Sequence, residues 1–299
     1  MLVTGGAGFI GSHIVDCLIK EDYQVVIVDN LSSGFIDNFK KNIIFYPLDI
    51  NDAALDNIFF IEKPEIVIHQ AAQVSVKESM DDPMNDCKQN INGTIHLLEC
   101  CKKHKVKKII YASSAAVYGL PEYVPIPETH VLSPESFYGI SKVTSEAYIR
   151  LYSKLCGLKY TILRYSNVYG PRQSIDGEAG VIRIFLDRFK QNRPVTIYGD
   201  GNQKRDFVYV KDVAEANLLG IKHADNEVIN ISSNTSKSIN EIVILLSILL
   251  GKKKEKIYIS ERPGDIRDSC LSNQKAQHLL HWEPNFSLIK GLEETINSL

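Results

Sequence analysis

The feature of this chain that most constrains its fold is a glycine-rich turn between a short apolar run and an amphipathic segment. Residues 1–3 are apolar, the turn follows at residues 5–11, and residues 14–19 have the periodicity of a helix. A strand, a glycine turn and a helix in this order form a dinucleotide-binding unit. Glycines let backbone N–H groups approach a pyrophosphate, which then lies at the positive end of the helix dipole. We therefore expect cofactor contacts from Gly5, Gly8, Phe9, Ile10 and Gly11.

The second apolar run ends in an acidic residue. Residues 24–28 are typical of a strand, and Asp29 follows them, 18 residues beyond Gly11. A dinucleotide-binding fold places at this offset the carboxylate that accepts the ribose 2′-hydroxyl. A carboxylate would repel a 2′-phosphate, and residues 30–33 contain no basic side chain to receive one. The sequence therefore favours NAD over NADP, held by Asp29 and its neighbour Asn30.

Strand-like and helix-like segments alternate along the first half of the chain. Residues 42–50, 64–69, 107–114 and 160–164 are typical of strands, and residues 92–104 and 142–155 of helices. This alternation predicts an α/β fold of the Rossmann type, with a doubly wound parallel sheet covered on both faces. Ligands bind beyond the carboxyl ends of such strands. Further site residues are expected at those ends, and they are Asp49, Ile50, Ala71, Ala72 and Ser114.

The composition changes after about residue 165, where turn-forming and polar loops become frequent. We expect residues 1–165 to form an NAD-binding Rossmann domain, with segments around 206–232 returning to its sheet. Residues 166–299 are expected to form mainly a smaller C-terminal substrate-binding lobe. The apolar run 239–250 is shorter than the ~20 residues of a membrane span and predicts a packed helix.

Charge and cysteine content argue against several classes of protein. A net charge of -2 provides no basic face for nucleic acid. The six cysteines show no Cys-x-x-Cys spacing, so we expect no metal site. Since no secretory signal is evident, we expect reduced thiols in a cytoplasmic protein.

Tyr138 and Lys142 are the candidates for acid–base chemistry. Residues four apart share one face of a helix, so the ammonium of Lys142 can lie beside the phenol of Tyr138. A nearby cation favours the phenolate, which can act as a general base. The Tyr-x-x-x-Lys pattern is common by chance in amphipathic helices, and it gains weight here from the glycine turn in the same chain.

Six ordered motifs together resemble the extended short-chain dehydrogenase/reductases of the NAD-dependent epimerase/dehydratase family, and within them the UDP-glucose 4-epimerase group. The resemblance runs over the whole length of the chain. Family members usually have a few more residues before the glycine turn, so we expect a short first strand or a late start. The motifs lie at residues 4–13, 113–119, 138–142, 164–171, 205–210 and 262–265.

The resemblance implies NAD-dependent 4-epimerisation of a UDP-hexose through a transient 4-keto sugar. Tyr138 would take the proton of the 4-hydroxyl, Ser114 would hydrogen-bond the 4-oxygen, and Lys142 would also hold the nicotinamide ribose. Ser114 could instead simply cap the end of its strand. Related dehydratases carry an Asp-Glu pair after the catalytic hydroxyl and related decarboxylases a Glu, whereas this chain has Ala115 and Ala116, which cannot transfer protons.

Two alternatives to epimerisation stay open at this point. One is an NAD(P)H-dependent reductase that acts on a nucleotide 4-keto sugar. The other is a protein that binds NAD or a nucleotide sugar without catalysis, although a complete Ser114, Tyr138 and Lys142 set argues against it.

The resemblance also assigns the nucleotide-sugar contacts. Asn167, Arg205 and Arg262 match positions that contact the UDP phosphates, and arginine suits this task because its planar fork pairs with phosphate oxygens. Asp265 would hold the uridine ribose, with a surface ion pair as the alternative. Ser269 falls at a gate beside the sugar 2-substituent, where a small residue leaves room for an N-acetyl group. The physiological sugar (glucose or galactose, N-acetylhexosamine or uronic acid) is left open, and relatives imply a homodimer.

Overall fold

The computed structural model describes residues 1–39, 42–175, 180–261 and 266–299. Its strands are β1 (Leu2–Thr4), β2 (Val26–Asp29), β3 (Ile44–Pro47), β4 (Ile66–His69), β5 (Lys108–Ser114), β6 (Lys159–Tyr165), β7 (Asn167–Tyr169), β8 (Val195–Tyr198), β9 (Lys204–Tyr209), β10 (Glu227–Ile231), β11 (Ser236–Ser238), β12 (Lys256–Ile259) and β13 (Asp268–Ser269). Its α-helices are α1 (Phe9–Lys20), α2 (Leu55–Glu62), α3 (Val76–Asp81), α4 (Pro83–Asp86), α5 (Gly93–Lys103), α6 (Phe137–Cys156), α7 (Val181–Lys190), α8 (Val210–Lys222), α9 (Ile239–Leu249), α10 (Gln274–Leu280) and α11 (Leu288–Asn297).

Seven parallel strands form the main sheet in the order β10-β6-β5-β4-β1-β2-β3. The order reverses at β1, which has β2 on one side and β4 on the other. Thr4 at the end of β1 pairs with both Val28 and His69. Such a switch point opens a crevice at the carboxyl ends of the strands, where α/β proteins bind ligands. The predicted Rossmann-type fold is confirmed.

Both faces of this sheet are buried. Successive strand residues point to opposite faces, and the two faces accordingly belong to two different apolar clusters. Val3 and Ile110 pack with Leu18 of α1 on one face, whereas Leu2 and Ile109 pack on the other. Each of these side chains is fully buried, which contributes about 1.5–3 kcal/mol per residue to stability. The resulting rigidity holds the strand ends, and the site built on them, in place.

Within residues 206–232, β10 lies in the main sheet, whereas the part of β9 in this range does not. Strand β10 pairs in parallel with β6, and α8 packs on the main sheet through Val213 and Ala214. Strand β9 instead lies in a separate sheet with β7, β11 and β13 as neighbours. Its hydrogen-bonding edges are taken by these short strands, which the sequence pattern alone does not reveal.

Two further expectations can be compared with the structure. Residues 239–249 form the packed helix α9, in which Ile242 and Leu246 are buried. Among the described residues, no helix combines the length and apolarity needed to cross a membrane. The six cysteines are all free thiols.

Candidate active site

The glycine turn is shaped by close backbone packing. Gly5 has φ of 67°, and a Cβ there would lie 2.6 Å from the amide nitrogen of Ala71. A Cβ on Gly11 would lie 2.0 Å from the carbonyl oxygen of Gly5. At Gly8 a Cβ would lie 3.2 Å from that same oxygen, which is a tight contact, and would meet no other atom within 4 Å, so this position is open apart from one side. The fold itself therefore requires Gly5 and Gly11, whereas Gly8 leaves room for a ligand.

The amino terminus of α1 opens onto that space. The helix begins at Phe9, and its N-cap Gly8 has no side chain to cap the first turn. The first N–H groups of a helix lack intrahelical partners and attract anions. Phe9, Ile10 and Gly11 are thus placed as expected for residues that contact a pyrophosphate.

Asp29 holds the glycine turn through hydrogen bonds. Its carboxylate is buried and accepts hydrogen bonds from the amide of Ala7 at 3.0 Å and from that of Leu31 at 2.8 Å. Burial raises the pKa of Asp29, and these hydrogen bonds act in the opposite direction. Because a carboxylate offers about four acceptor positions, Asp29 can hold the turn and still accept a ribose hydroxyl.

The ends of β2 and β3 are joined by side chains. Asn30 donates to Asp49 at 2.9 Å, and the amide of Asn51 donates to Asp49 at 2.8 Å. Partial burial raises the pKa of Asp49, but these hydrogen bonds outweigh burial and lower that pKa overall. Ile50 is buried, and its carbonyl oxygen contacts the His96 ring nitrogen at 2.7 Å. The predicted contacts Asn30, Asp49 and Ile50 therefore lie together at one edge of the crevice.

Ala71 and Ala72 follow β4, and Ala71 is held by a buried series of hydrogen bonds that the sequence pattern does not reveal. The amide of Ala71 donates to the hydroxyl of Thr4 at 3.3 Å, and that hydroxyl bonds His69 Nδ1 at 2.7 Å. The other ring nitrogen of His69 contacts Thr94 at 3.1 Å. Burial lowers the pKa of His69 to about 3, so the ring is neutral. Polar residues at the ends of neighbouring buried strands are the signal that could have indicated such a series.

Tyr138 and Lys142 lie on one face of α6, as their spacing predicts. The Nζ of Lys142 is 5.6 Å from the centre of the Tyr138 ring and 5.0 Å from that of Tyr111. It donates to the carbonyl oxygen of Ala112 at 2.9 Å. Lys142 is buried, and burial lowers its pKa to about 8. A buried cation therefore lies close to the half-buried phenol of Tyr138.

Ser114 ends β5 beside the start of α6. Its Oγ accepts a hydrogen bond from the amide of Ala116 at 3.2 Å, so it does cap the following turn. A Cβ on Gly139 would lie 2.6 Å from the carbonyl oxygen of Ala116, which shows that this turn touches the first turn of α6. Ser114 and Tyr138 are therefore carried by segments in direct contact, and the two residues that follow Ser114, Ala115 and Ala116, have no acidic group.

A second polar cluster next to Lys142 was also missed. Asn90 donates to the carboxylate of Asp86 at 3.0 Å and to the hydroxyl of Ser141 at 3.0 Å. Ser141 in turn donates to the carbonyl oxygen of Tyr138 at 2.9 Å. Asn90 lies in a short π-helix, Cys87–Asn92. A π-helix has no simple sequence signature, which explains why this support for the start of α6 was not predicted.

Three predicted substrate residues meet in the sheet around β9. Ser269 of β13 pairs with Arg205 of β9, and Asn167 of β7 pairs with Phe207. The guanidinium of Arg205 donates to the carbonyl oxygen of Ile266 at 2.5 Å. Asn167 is exposed and Ser269 is buried. The other two predicted substrate residues, Arg262 and Asp265, lie outside the described residues.

Comparisons with known proteins agree with this arrangement. The model of the NAD dependent epimerase/dehydratase family matches residues 1–232. A protein of Methanocaldococcus jannaschii described as a putative UDP-glucose 4-epimerase is 47% identical over 298 residues, which are 99% of this chain and 97% of the relative.

Solved structures are similar over the same extent. UDP-glucose 4-epimerase from Thermotoga maritima, crystallised with UDP-glucose, has a TM-score of 0.97 and 47% identity, covering 99% of this chain and 97% of that one. UDP-N-acetylglucosamine 4-epimerase from Methanobrevibacter ruminantium, in complex with UDP-N-acetylmuramic acid, has a TM-score of 0.94 and 37% identity, covering 99% and 96% of the two chains.

Proposed function

This chain belongs to the NAD-dependent epimerase/dehydratase family, and we propose that it is an isomerase that inverts C4 of a UDP-hexose through a transient 4-keto sugar. The observation that carries the proposal is the buried Lys142 ammonium beside Tyr138, next to the turn that carries Ser114. The two alanines in that turn leave the site without the acidic groups of a dehydratase or decarboxylase.

NAD is the cofactor that the crevice fits. The open space at Gly8 and the amino terminus of α1 suit its pyrophosphate, and Asp29 suits an adenosine ribose. Asn30, Asp49, Ile50, Ala71 and Ala72 would line the remainder of the cofactor, and Lys142 would hold the nicotinamide ribose. Bound NAD supplies a reversible hydride acceptor, which permits oxidation and re-reduction of C4 without net redox change.

The protein groups move one proton. Tyr138 takes the proton of the sugar 4-hydroxyl, and the ammonium of Lys142 stabilises the phenolate that makes this possible. The hydroxyl of Ser114 accepts a hydrogen bond from the Ala116 amide through one lone pair. Its own O–H is left to donate to the sugar 4-oxygen, and its second lone pair can accept a hydrogen bond from the 4-hydroxyl. After the 4-keto sugar has rotated to present its opposite face, Tyr138 returns the proton to the 4-oxygen, which gives the 4-hydroxyl of inverted configuration.

The sheet around β9 would hold the nucleotide half of the substrate. Asn167 and Arg205 suit the UDP phosphates, with Arg262 as a further phosphate ligand and Asp265 at the uridine ribose. A tethered nucleotide lets the sugar turn without leaving the site, so these contacts serve both binding and catalysis.

Ser269 bears on which sugars are accepted. Its side chain is small, and it lies on the strand next to Arg205. We propose that it leaves room for a 2-N-acetyl group, so that UDP-N-acetylglucosamine is converted as well as UDP-glucose. The similarity to an epimerase of UDP-N-acetylglucosamine supports this breadth.

Incubation of the purified protein with UDP-galactose, with no cofactor added, separates the epimerase from its alternatives. An epimerase that retains NAD forms UDP-glucose to equilibrium, which chromatography of the products detects. A reductase would require a stoichiometric supply of NADH or NADPH and a 4-keto substrate. A protein without catalysis would bind the nucleotide sugar and leave it unchanged, which would refute the proposal.

We propose a division of the chain into two functional parts. Residues 1–165, with β10, would form the NAD-binding domain, and residues 166–299 would mainly hold the UDP-sugar.

We also propose a cytoplasmic homodimer that pairs through α5 and α6, since Ile140, Leu151 and Leu155 of α6 expose 46%, 49% and 73% of their surface. Light scattering of the purified protein tests the dimer, because a monomer at micromolar concentration would contradict it.

A further inference from the structure

A fully buried carboxylate lies at the centre of the sheet around β9. Asp206 has no exposed surface, and its two oxygens accept hydrogen bonds from neutral groups on three other segments. Oδ1 accepts from the amide of Ser233 at 2.9 Å, from the hydroxyl of Ser233 at 2.8 Å and from the hydroxyl of Ser166 at 3.3 Å. Oδ2 accepts from the amide of Leu271 at 3.4 Å and from the thiol of Cys270 at 3.7 Å.

Two of the three segments bound by Asp206 also carry a described substrate residue, and Asp206 itself adjoins the third such residue. Ser166 precedes Asn167, Arg205 precedes Asp206 itself, and Cys270 follows Ser269. Side chains alternate between the faces of a strand, which agrees with a buried Asp206 beside a partly exposed Arg205. One carboxylate on the inner face therefore ties β9, which carries Arg205, to the segments that carry Asn167 and Ser269, and Ser233 holds the same carboxylate from a segment without a proposed site residue.

We propose that Asp206 is a positioning residue for UDP-sugar binding, which sets the relative placement of Asn167, Arg205 and Ser269 without touching the substrate. The proposal rests on the proposed function, because it assigns Asp206 to the same site. Its ligand class is a nucleoside diphosphate sugar, whose phosphates and hexose contact different strands of this sheet and so require those strands to keep a fixed spacing.

The chemistry of a carboxylate explains why aspartate suits this position. All five groups around Asp206 donate hydrogen bonds, and an ionised carboxylate is the side chain that only accepts. An asparagine would keep one acceptor oxygen but would turn an NH₂ group toward a donor such as the amide of Leu271 or Ser233. A buried donor left without an acceptor is costly, so the segment on that side would move away from β9.

Asp212 provides a matched control. It is also fully buried, and burial raises the pKa of both carboxyls to about 6. Asp212 accepts hydrogen bonds from the amides of Asn285 at 2.9 Å and Phe286 at 3.3 Å, on a segment that carries none of the proposed site residues. Asp206→Asn and Asp212→Asn thus make the same chemical change in equally buried places.

The experiment compares these two variants with the wild-type holoenzyme. We measure KM and kcat with UDP-glucose, the content of bound NAD and the temperature of unfolding. Asp206→Asn is expected to raise KM about tenfold or more and to alter kcat by less than about threefold, with NAD content unchanged. Asp212→Asn is expected to lower the unfolding temperature similarly and to leave KM unchanged. Equal KM in all three proteins, or equal increases in both variants, would overturn the proposal.

Milder variants keep the test decisive if Asp206→Asn does not fold. Ser233→Ala and Ser166→Ala each remove one hydroxyl donor, and each is expected to raise KM by about two- to fourfold at nearly unchanged kcat. No change in either variant would count against the proposal. Calorimetry with UDP-glucose keeps the two hypotheses apart, because binding without turnover in the wild type refutes the epimerase, whereas unaltered affinity in the variants refutes the role of Asp206.

Discussion

The crevice beside β1 and the sheet around β9 are built by different means. At the crevice, backbone atoms define the shape, since Gly5 and Gly11 allow the turn to pack on Ala71 and on itself. In the sheet around β9, a buried side chain, Asp206, fixes the spacing of the strands. The first region needs glycine and cannot tolerate added volume, whereas the second needs a hydrogen-bond acceptor at its centre.

This difference determines which substitutions each region tolerates. In the crevice, a Cβ added at Gly5 or Gly11 would meet backbone atoms that cannot move aside. In the sheet around β9, loss of the acceptor at Asp206 would leave buried donors without a partner. The crevice is therefore sensitive to added volume, and the sheet around β9 is sensitive to the loss of a hydrogen-bond acceptor.

The largest effect is expected at the phenol of Tyr138, the proposed base. Tyr138→Phe removes the proton acceptor at little change in volume, so kcat should fall by about 10² or more while UDP-sugar affinity is kept. Tyr148→Phe, at a partly exposed position on the same helix, is the control and should be fully active. Near-normal turnover in Tyr138→Phe would show that another group is the base.

The second prediction tests the backbone-defined crevice. Gly11→Ala would place a Cβ 2.0 Å from the Gly5 carbonyl oxygen and should lower the free energy of unfolding by about 3 kcal/mol. Gly8→Ala should lose less stability than Gly11→Ala, because its Cβ meets only the Gly5 carbonyl oxygen at 3.2 Å, and it should bind NAD less tightly, since that Cβ enters space that suits the pyrophosphate. Denaturant unfolding and NAD titration measure the two effects, and equal stability losses would contradict the distinction.

The third prediction tests a small side chain in the sheet around β9, Ser269. Ser269→Tyr should lower kcat/KM for UDP-N-acetylglucosamine by about 50-fold, because a bulky ring would exclude the N-acetyl group, and should largely spare UDP-glucose. Kinetics with both sugars give the ratio directly. A wild-type enzyme that is inert toward UDP-N-acetylglucosamine and UDP-N-acetylgalactosamine but fast with UDP-galactose would show that Ser269 does not set the breadth.

The fourth prediction concerns a side chain in the crevice. Asp29→Asn keeps an acceptor oxygen of the same size and removes the charge, so NAD affinity should fall by about tenfold through loss of a charge-assisted hydrogen bond. The discrimination against NADP should decrease as well, since the 2′-phosphate is no longer repelled. Fluorescence titration with both cofactors measures this, and equal affinity of the wild type for NAD and NADP would refute the role of Asp29.

The smallest effect is expected from pH. Burial lowers the pKa of Lys142 from the ordinary 10.5 to about 8, so the ammonium loses its proton in mildly alkaline solution. Half a pH unit above that value, about one quarter of the lysine is protonated, and kcat should be about fourfold lower. Since the unfolded chain keeps this proton up to about pH 10.5, the full cost of burying the charge is present below about pH 8 and is lost between about pH 8 and 10.5, so the free energy of unfolding rises with pH across that window.

A pH–rate profile checks this prediction. Lys142→Met should retain little activity and should lack the alkaline decrease near pH 8. A wild-type kcat that stays constant to pH 9.5 would indicate that the ammonium does not support the phenol of Tyr138.

Local rules of the chain predicted much of this molecule. The glycine turn, the acid at its offset and the spacing of Tyr138 and Lys142 depend on contacts between near neighbours or on the pitch of one helix, so the sequence by itself determined the parallel fold and the cofactor edge. The assignment of Asn167, Arg205 and Ser269 came instead from the resemblance to a family, since nothing local marks them.

Tertiary structure alone decided the rest. Residues distant in sequence meet in the sheet around β9, in the hydrogen bond between Thr4 and His69 and at the donors around Asp206. Asp206 and Leu271, for example, are 65 positions apart. A hydrogen bond between such residues depends on the placement of two independently formed segments to within a fraction of an ångström. Periodicity and spacing carry no information at that range, because only the packing of the whole core brings the two partners together.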